Sequence, residues 1–380
     1  MPELDPQVAA WVDDLVNAVD NDNTTDGLKC ANGATRWLLR VAPEEVREQA
    51  RLALEDLDRV ADRPLAALRS DNVAQHFTPT ALAGGLNVLV ARMTVPGGPW
   101  PGHFGLETVV FRSHPAVMPA AYPPARKGVG LHFGQLVAAS RGYRDGAGTV
   151  LFPEQLSVDI RPGRQAFGVV FLDRLHHLFL ARVLPVLATS TFTPAELRAL
   201  FDLRGRAFLA HERGHLQGAD LEAAVLTRRR RLAAVVSELH ADLDALVMLL
   251  DSPDPMALAA AKVLAADRII REAWLKRSYA QVDAIAARQL LVLLAKAGAV
   301  TLDGGRLSLD LAVARHRLGE ELQRVRALER SCCTSGLEPA RQYLRAAGWA
   351  VVDSACHREL ESPIARFLGY AASRSVPVPA

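Results

Sequence analysis

Between residues 210 and 216 the chain reads Ala-His-Glu-Arg-Gly-His-Leu, and this short run limits the possible folds more than any other stretch. His211 and His215, four residues apart, share one face of an α-helix, where two imidazoles can reach a single metal ion. Glu212 sits where it can handle the proton of an attacking water. The pattern therefore requires a helix here and a third ligand from another element. Ser237-Glu238-Leu239-His240-Ala241-Asp242 supplies one. Glu238 and Asp242 are again four apart, hence on one face of the following helix. Glu238 would coordinate the metal beside the two histidines. Asp242 would accept a hydrogen bond from the far nitrogen of one ligand histidine, fixing its tautomer. Two antiparallel helices joined by a turn at 218–220 would carry the set, and an N/N/O donor set of this kind favours Zn2+. Gly214, inside the first helix, costs ~1 kcal/mol relative to alanine, so close packing by another element is its expected reason.

His211-Glu212-x-x-His215, followed after residues 216–237 by Glu238-x-x-x-Asp242, resembles the gluzincin group of zincin metallopeptidases, the thermolysin and aminopeptidase type. The resemblance covers about residues 206–250, and the strand-rich part before it is compatible with the sheet that precedes the metal helix in zincins. It implies a zinc hydrolase acting on a peptide or small amide carbonyl. It also implies zinc ligands His211, His215 and Glu238, with Glu212 as general base and then acid. The expected fold is α+β and zincin-like, a strand-rich N-terminal half followed by a mainly helical half that carries the metal. Such chemistry needs a second electrophile for the developing oxyanion. Tyr279 and Arg277, in Trp274-Leu275-Lys276-Arg277-Ser278-Tyr279, are the first candidates because they lie downstream of the ligand helix. Tyr279 is expected as a catalytic group, Arg277 and His240 as substrate contacts, and His316 as a weaker candidate. The strand region carries no Gly-x-Met-x-Asn element of the aminopeptidase type.

The rest of the chain falls into four parts: a helical segment over 1–82, a strand-rich region over 83–172, the helical metal-binding region over 173–330, and a C-terminal segment over 331–380. Val8, Trp11, Val12, Leu15 and Val19 form one helical stripe. A second helix is expected from Pro43 to about Leu68. Short apolar runs separated by Gly and Pro predict strands at 86–95, 106–111, 129–133, 149–152, 156–160 and 166–171, making a sheet of five or six strands. Thr193-Pro194-Ala195-Glu196 is a helix start, and Gly218 a stop. Asp220 is expected to cap the next helix, which runs to about Leu250. Helices over 256–276 and 280–297, a hairpin around Asp303-Gly304-Gly305, and helices from Asp310 to about Arg330 and over 339–347 complete the reading.

A formal net charge of +2, from 44 basic and 42 acidic residues, leaves no electrostatic footprint for nucleic acid. No apolar run approaches the ~20 residues that span a bilayer, and the acidic start lacks a signal-peptide pattern. Four cysteines without a Cys-x-x-Cys pair read as free thiols. The expectation is a cytoplasmic enzyme with a peptide or small-molecule substrate and neither a nucleic-acid nor a membrane partner. Two other readings compete. The same zinc and glutamate could serve a biosynthetic or tailoring step on a small metabolite. The helix–hairpin–helix over 281–329 could form a winged helix on DNA, although its first helix offers few base-reading side chains.

Overall fold

The computed structural model describes residues 4–24, 33–59, 68, 85–94, 104–114, 129–144, 149–151, 166–218, 230–275, 282–303, 305–352 and 355–357. The chain divides into two compact units, one formed by residues 1–116 with 130–175, the other by 117–129 with 176–379.

In the first unit the stripe predicted from the sequence becomes helix α1 (Pro6–Thr24), with Val8, Trp11, Val12, Leu15 and Val19 all buried. Trp11 donates its indole N–H to the Leu38 carbonyl at 2.9 Å, tying α1 to α2 (Gly33–Arg40). The chain beyond Pro43 opens with one tight turn, Glu44–Val46, and continues as α3 (Arg47–Asp58). Five strands form one sheet: β1 (Leu86–Thr94), β2 (Phe104–His114), β3 (Val129–Ala139), β4 (Thr149–Leu151) and β5 (Ala166–Phe171), in the order β1-β2-β3-β5-β4. The expected strand over 156–160 lies outside the described residues. The sheet's end strand β1 is partly covered by Gln49 of α3, whose side-chain oxygen accepts the Val88 N–H at 2.7 Å. This satisfies a backbone donor that an open edge would leave to solvent. Strand β3 runs past Gly134, where the sequence pattern suggested an end. A Cβ there would stand 2.5 Å from the Phe111 ring, so the glycine lets that ring lie across the strand.

The second unit is helical. Thr193 and Glu196 form the expected reciprocal cap, with Glu196 N–H to Thr193 Oγ1 at 3.2 Å and Thr193 N–H to Glu196 Oε2 at 2.6 Å. The helix they start is a single short piece, Pro194–Arg198. Ala199 leaves helical geometry, and the motif helix begins afresh at Leu200. With α4 denoting Leu172–Leu178, the motif helix is α5 (Leu200–Gln217), followed by α6 (Arg230–Asp251) and α7 (Ala257–Ala266). Leu200, Leu203, Ala207 and Ala210 repeat at helical spacing along α5 and are buried in the core that α6 and α7 share. Helix α6 is buried on every side over Leu239–Leu246, which makes it the central element of this unit.

The plain helix expected over 256–276 is not what forms. After Ala266 the chain winds as a π-helix over Asp267–Leu275. Such wide turns are rare and gather at functional sites. The physical reason here is two consecutive buried charges with partners on different helices. Asp267 lies 3.0 Å from Arg204 of α5 and also holds Arg271 at 2.7 Å, while Arg268 reaches α6. Burial alone would raise the Asp267 carboxyl, but Arg204 and Arg271 hold it well below the usual carboxylate range. Its folded pKa is thus depressed. Its stabilisation is complete above the unfolded value of ~3.9 and is lost as pH falls below it. Arg204→Met should cost about 3 kcal/mol, the low end for a broken buried pair, because Arg271 remains. Urea denaturation at pH 7 and at pH 3 checks this, and the deficit should shrink at the lower pH.

Helix α8 (Val282–Lys296) ends at Gly298 (φ 75°), where the Ala299 N–H returns to the Leu294 carbonyl at 2.9 Å. The hairpin β6 (Val300–Asp303) and β7 (Arg306–Leu309) follows, then α9 (Arg315–Ser335) and α10 (Glu338–Ala346). A last hairpin, β8 (Ala350–Val352) and β9 (Ala355–His357), closes the described chain. The winged-helix reading would set α8 against DNA. Helix α8 is buried without interruption from Ala284 to Leu291 and presents no side there to a DNA groove. Among the described residues no helix is long and apolar enough to cross a membrane.

Candidate metal centre

The apolar stripe of α5 runs 200, 203, 207, 210 and then reaches Gly214, so the glycine continues the face turned toward α6. A Cβ on Gly214 would stand 2.5 Å from the Ala241 carbonyl oxygen and 2.6 Å from its Cα. The two helices therefore touch backbone to backbone, and only glycine permits the approach. The contact lies beside His215 on one helix and one turn from Glu238 on the other. Helix crossing and ligand placement are set at the same point.

Two imidazole nitrogens and one carboxylate converge there. The Nε2 atoms of His211 and His215 are 3.2 Å apart. Glu238 places Oε2 3.4 Å from His211 Nε2 and Oε1 3.5 Å from His215 Nε2. A tetrahedral ion with ligands at about 2.0–2.1 Å has ligand–ligand edges of roughly 3.3–3.4 Å, and each of these separations, taken to the nearer carboxylate oxygen, is close to that. Among the described residues these three form the one cluster of His, Cys, Asp or Glu able to hold an ion.

The far sides of the imidazoles are held by partners of their own. His211 Nδ1 is 2.9 Å from Asp242 Oδ1, and Asp242 is fully buried. His215 Nδ1 is 3.2 Å from Ser237 Oγ. With each Nδ1–H donating outward, each Nε2 points a lone pair inward, toward the other and toward a carboxylate. Three lone pairs at this spacing repel unless a positive charge lies among them. The titration of the cluster agrees. Burial pushes His211 down, but hydrogen bonds to Asp242 and Glu238 outweigh it and bring the imidazole up to about 10. Burial would raise Glu238, yet the neighbouring His215 and His211, with Arg268, hold its carboxyl well below the usual range.

Arg268 completes the surroundings. Its Nε donates to Asp242 Oδ2 at 2.8 Å, Nη2 to Glu238 Oε2 at 3.3 Å and Nη1 to Asp283 Oδ1 at 3.5 Å. Neither Arg268 nor Ser237 was assigned a role from sequence. The available signal for Arg268 was an adjacent Asp-Arg pair inside the apolar run Val263-Leu264-Ala265-Ala266-Asp267-Arg268-Ile269-Ile270, since charges so placed require buried partners.

The other residues singled out in the sequence fall as follows. Glu212, next to His211 in the chain, is half-buried, and among the described residues its carboxylate has no hydrogen-bond or ion-pair partner. His240, expected at the substrate, is 1% exposed, with its Nδ1 2.7 Å from Glu329 Oε2 of α9. Two residues on the helix from Glu238, it lies on the side of α6 away from the Glu238 face and in the core. His316 is exposed on α9, near Glu320. Tyr279 and Arg277 lie outside the described residues. One turn from His240, Asp244 pairs with Arg326 of α9 at 2.5 Å, so α6 carries charged contacts on opposite sides.

No protein-family model matches the sequence, and no curated protein does. Solved structures do match. The structure of DPP III from Caldithrix abyssi superposes with a TM-score of 0.61 at 11% identity, over 90% of this chain and 68% of that one. Dipeptidyl-peptidase III from Corallococcus sp. strain EGB gives 0.51 at 13% identity, over 98% of this chain and 79% of that one. The chain thus shares an α+β fold with these proteins.

Proposed function

We propose that this chain is a zinc-dependent hydrolase of the peptidase type that cleaves short peptides, with release of an N-terminal dipeptide as the first activity to test. The observation that carries the reading is the close cluster of His211, His215 and Glu238, with an unengaged carboxylate, Glu212, next to it in the chain. The fold shared with two dipeptidyl-peptidase III structures supports the choice of substrate class. When bound, zinc supplies Lewis acidity, polarising a carbonyl and acidifying water.

The protein's own groups do the rest. His211, His215 and Glu238 would hold the ion. Asp242 and Ser237 keep both imidazoles in the ligating tautomer. Glu212 accepts the proton of the attacking water and returns it to the leaving amine. Tyr279 and Arg277 are proposed to meet the oxyanion and the substrate.

Glu238→Ala is expected to lose most of its zinc, because two imidazoles alone leave half the tetrahedral shell to solvent. Elemental analysis of purified wild type and variant checks this. In the same preparations, dipeptidyl arylamides and a panel of short peptides should be turned over by wild type, silenced by chelator and restored by zinc. Full zinc retention by Glu238→Ala would remove the third ligand. A fully zinc-loaded wild type inert toward every peptide would remove the peptidase reading.

A further inference from the structure

We infer that Arg268 is the positioning residue that preforms the metal site, holding Asp242 and Glu238 in the poses in which they serve the two histidines. The inference rests on the metal-dependent reading above. Its physical basis is the shape of the guanidinium. A planar fork presents donors in fixed directions and cannot shift one bond without straining the others. Here the fork spans Asp242 at 2.8 Å, Glu238 at 3.3 Å and Asp283 at 3.5 Å. Asp242 passes the constraint on, because its other oxygen lies 2.9 Å from His211 Nδ1. Glu238 receives it directly at the oxygen nearest His211 Nε2. One side chain thus governs the third ligand and the orientation of the first.

The backbone reinforces this placement. Arg268 is the second residue of the π-helical segment, and its neighbour Asp267 is fastened to Arg204 on α5 at 3.0 Å. The guanidinium is therefore delivered to α6 from a base anchored on the motif helix. Among the described residues the segment is tied by charge to both helices that supply ligands.

Two effects of opposite sign meet at Arg268, and they make the inference testable. As a bare positive charge near the ion, it would weaken zinc binding, and its removal would tighten it. As a template, it strengthens binding, and its removal loosens the site. The template is expected to win, because groups that orient metal ligands typically contribute 10–100-fold in affinity.

The test uses the full chain as wild type, Arg268→Met and Arg268→Lys. Zinc affinity is measured by competition with a chromophoric chelator, and site geometry from the absorption of the cobalt-substituted protein. Arg268→Met should bind zinc about 10–100-fold more weakly and show altered cobalt bands. Arg268→Lys keeps the charge without the fork and should recover only part of the loss. Zinc binding by Arg268→Met equal to or tighter than wild type, with an unchanged cobalt spectrum, would overturn the inference. Should Arg268→Met not fold, Arg268→Lys decides alone: a loss of tenfold or more supports the template, and wild-type affinity refutes it. Failure of the wild type to bind zinc in the same titration would overturn the metal reading and this inference with it. Normal wild-type binding with unaffected Arg268 variants would overturn this inference only.

Discussion

Glu212→Gln protein should bind as much zinc as wild type and lose peptide hydrolysis by about 10²–10⁴-fold, the range for removing a positioned general base. The expectation rests on the separation of roles within Ala210–Leu216. The proposed donors are His211 and His215, whereas Glu212 makes no bond among the described residues that would hold the fold or the donors in place. Glutamine keeps the size and polarity of the side chain and removes only its capacity to take a proton. Zinc content by elemental analysis and kcat on a dipeptidyl arylamide are the two readouts. Loss of zinc from Glu212→Gln would mean that the side chain has a structural part in the site. Retained activity would mean that the proton goes elsewhere.

Gly214→Ala is expected to have the second large effect, and it tests packing rather than chemistry. The added methyl would meet backbone of Ala241 at 2.5 and 2.6 Å, and backbone cannot turn aside as a side chain can. The helices must separate or shift. Overpacking of this kind typically costs 1–3 kcal/mol, offset by the ~1 kcal/mol that alanine gains over glycine inside a helix. The net loss of stability is therefore modest, about 0–2 kcal/mol. Zinc affinity should fall more than stability suggests, by at least about tenfold, because the displaced point lies between His215 and Glu238. Parallel thermal melts and chelator competition separate the two effects. A variant with wild-type zinc affinity would show that the helix contact does not set the triangle.

How much of this was legible in the sequence depends on whether a residue's task is local. The motif histidines, Glu238 and Asp242 follow from spacing along helices, and the structure brings all four together. The cost of a mid-helix glycine pointed to the close approach that Gly214 makes with Ala241. The Thr193 cap was equally local, although the helix it starts is far shorter than the pattern suggested. What could not be read was tertiary. A π-helical turn has the same composition as an α-helical one, and its cause lies in partners on two other helices, Arg204 and Asp242. His240 looked available because it neighbours the ligands in sequence. Helical geometry turns it toward Glu329 instead.

The contacts along α6 have a mechanical meaning. Asp242 is gripped by Arg268 at 2.8 Å, while His240 and Asp244 meet Glu329 and Arg326 at 2.7 and 2.5 Å. Grips on different sides of a cylinder oppose its rotation in either sense. With side chains included, a helix has a radius of about 5–6 Å, so a roll of about 10° carries a side-chain tip by about 1 Å. A displacement of that size can lower a reaction rate about 10²-fold. Helix α6 thus behaves as a keyed shaft, with its azimuth held from both flanks so that Glu238 does not roll out of reach of the two histidines.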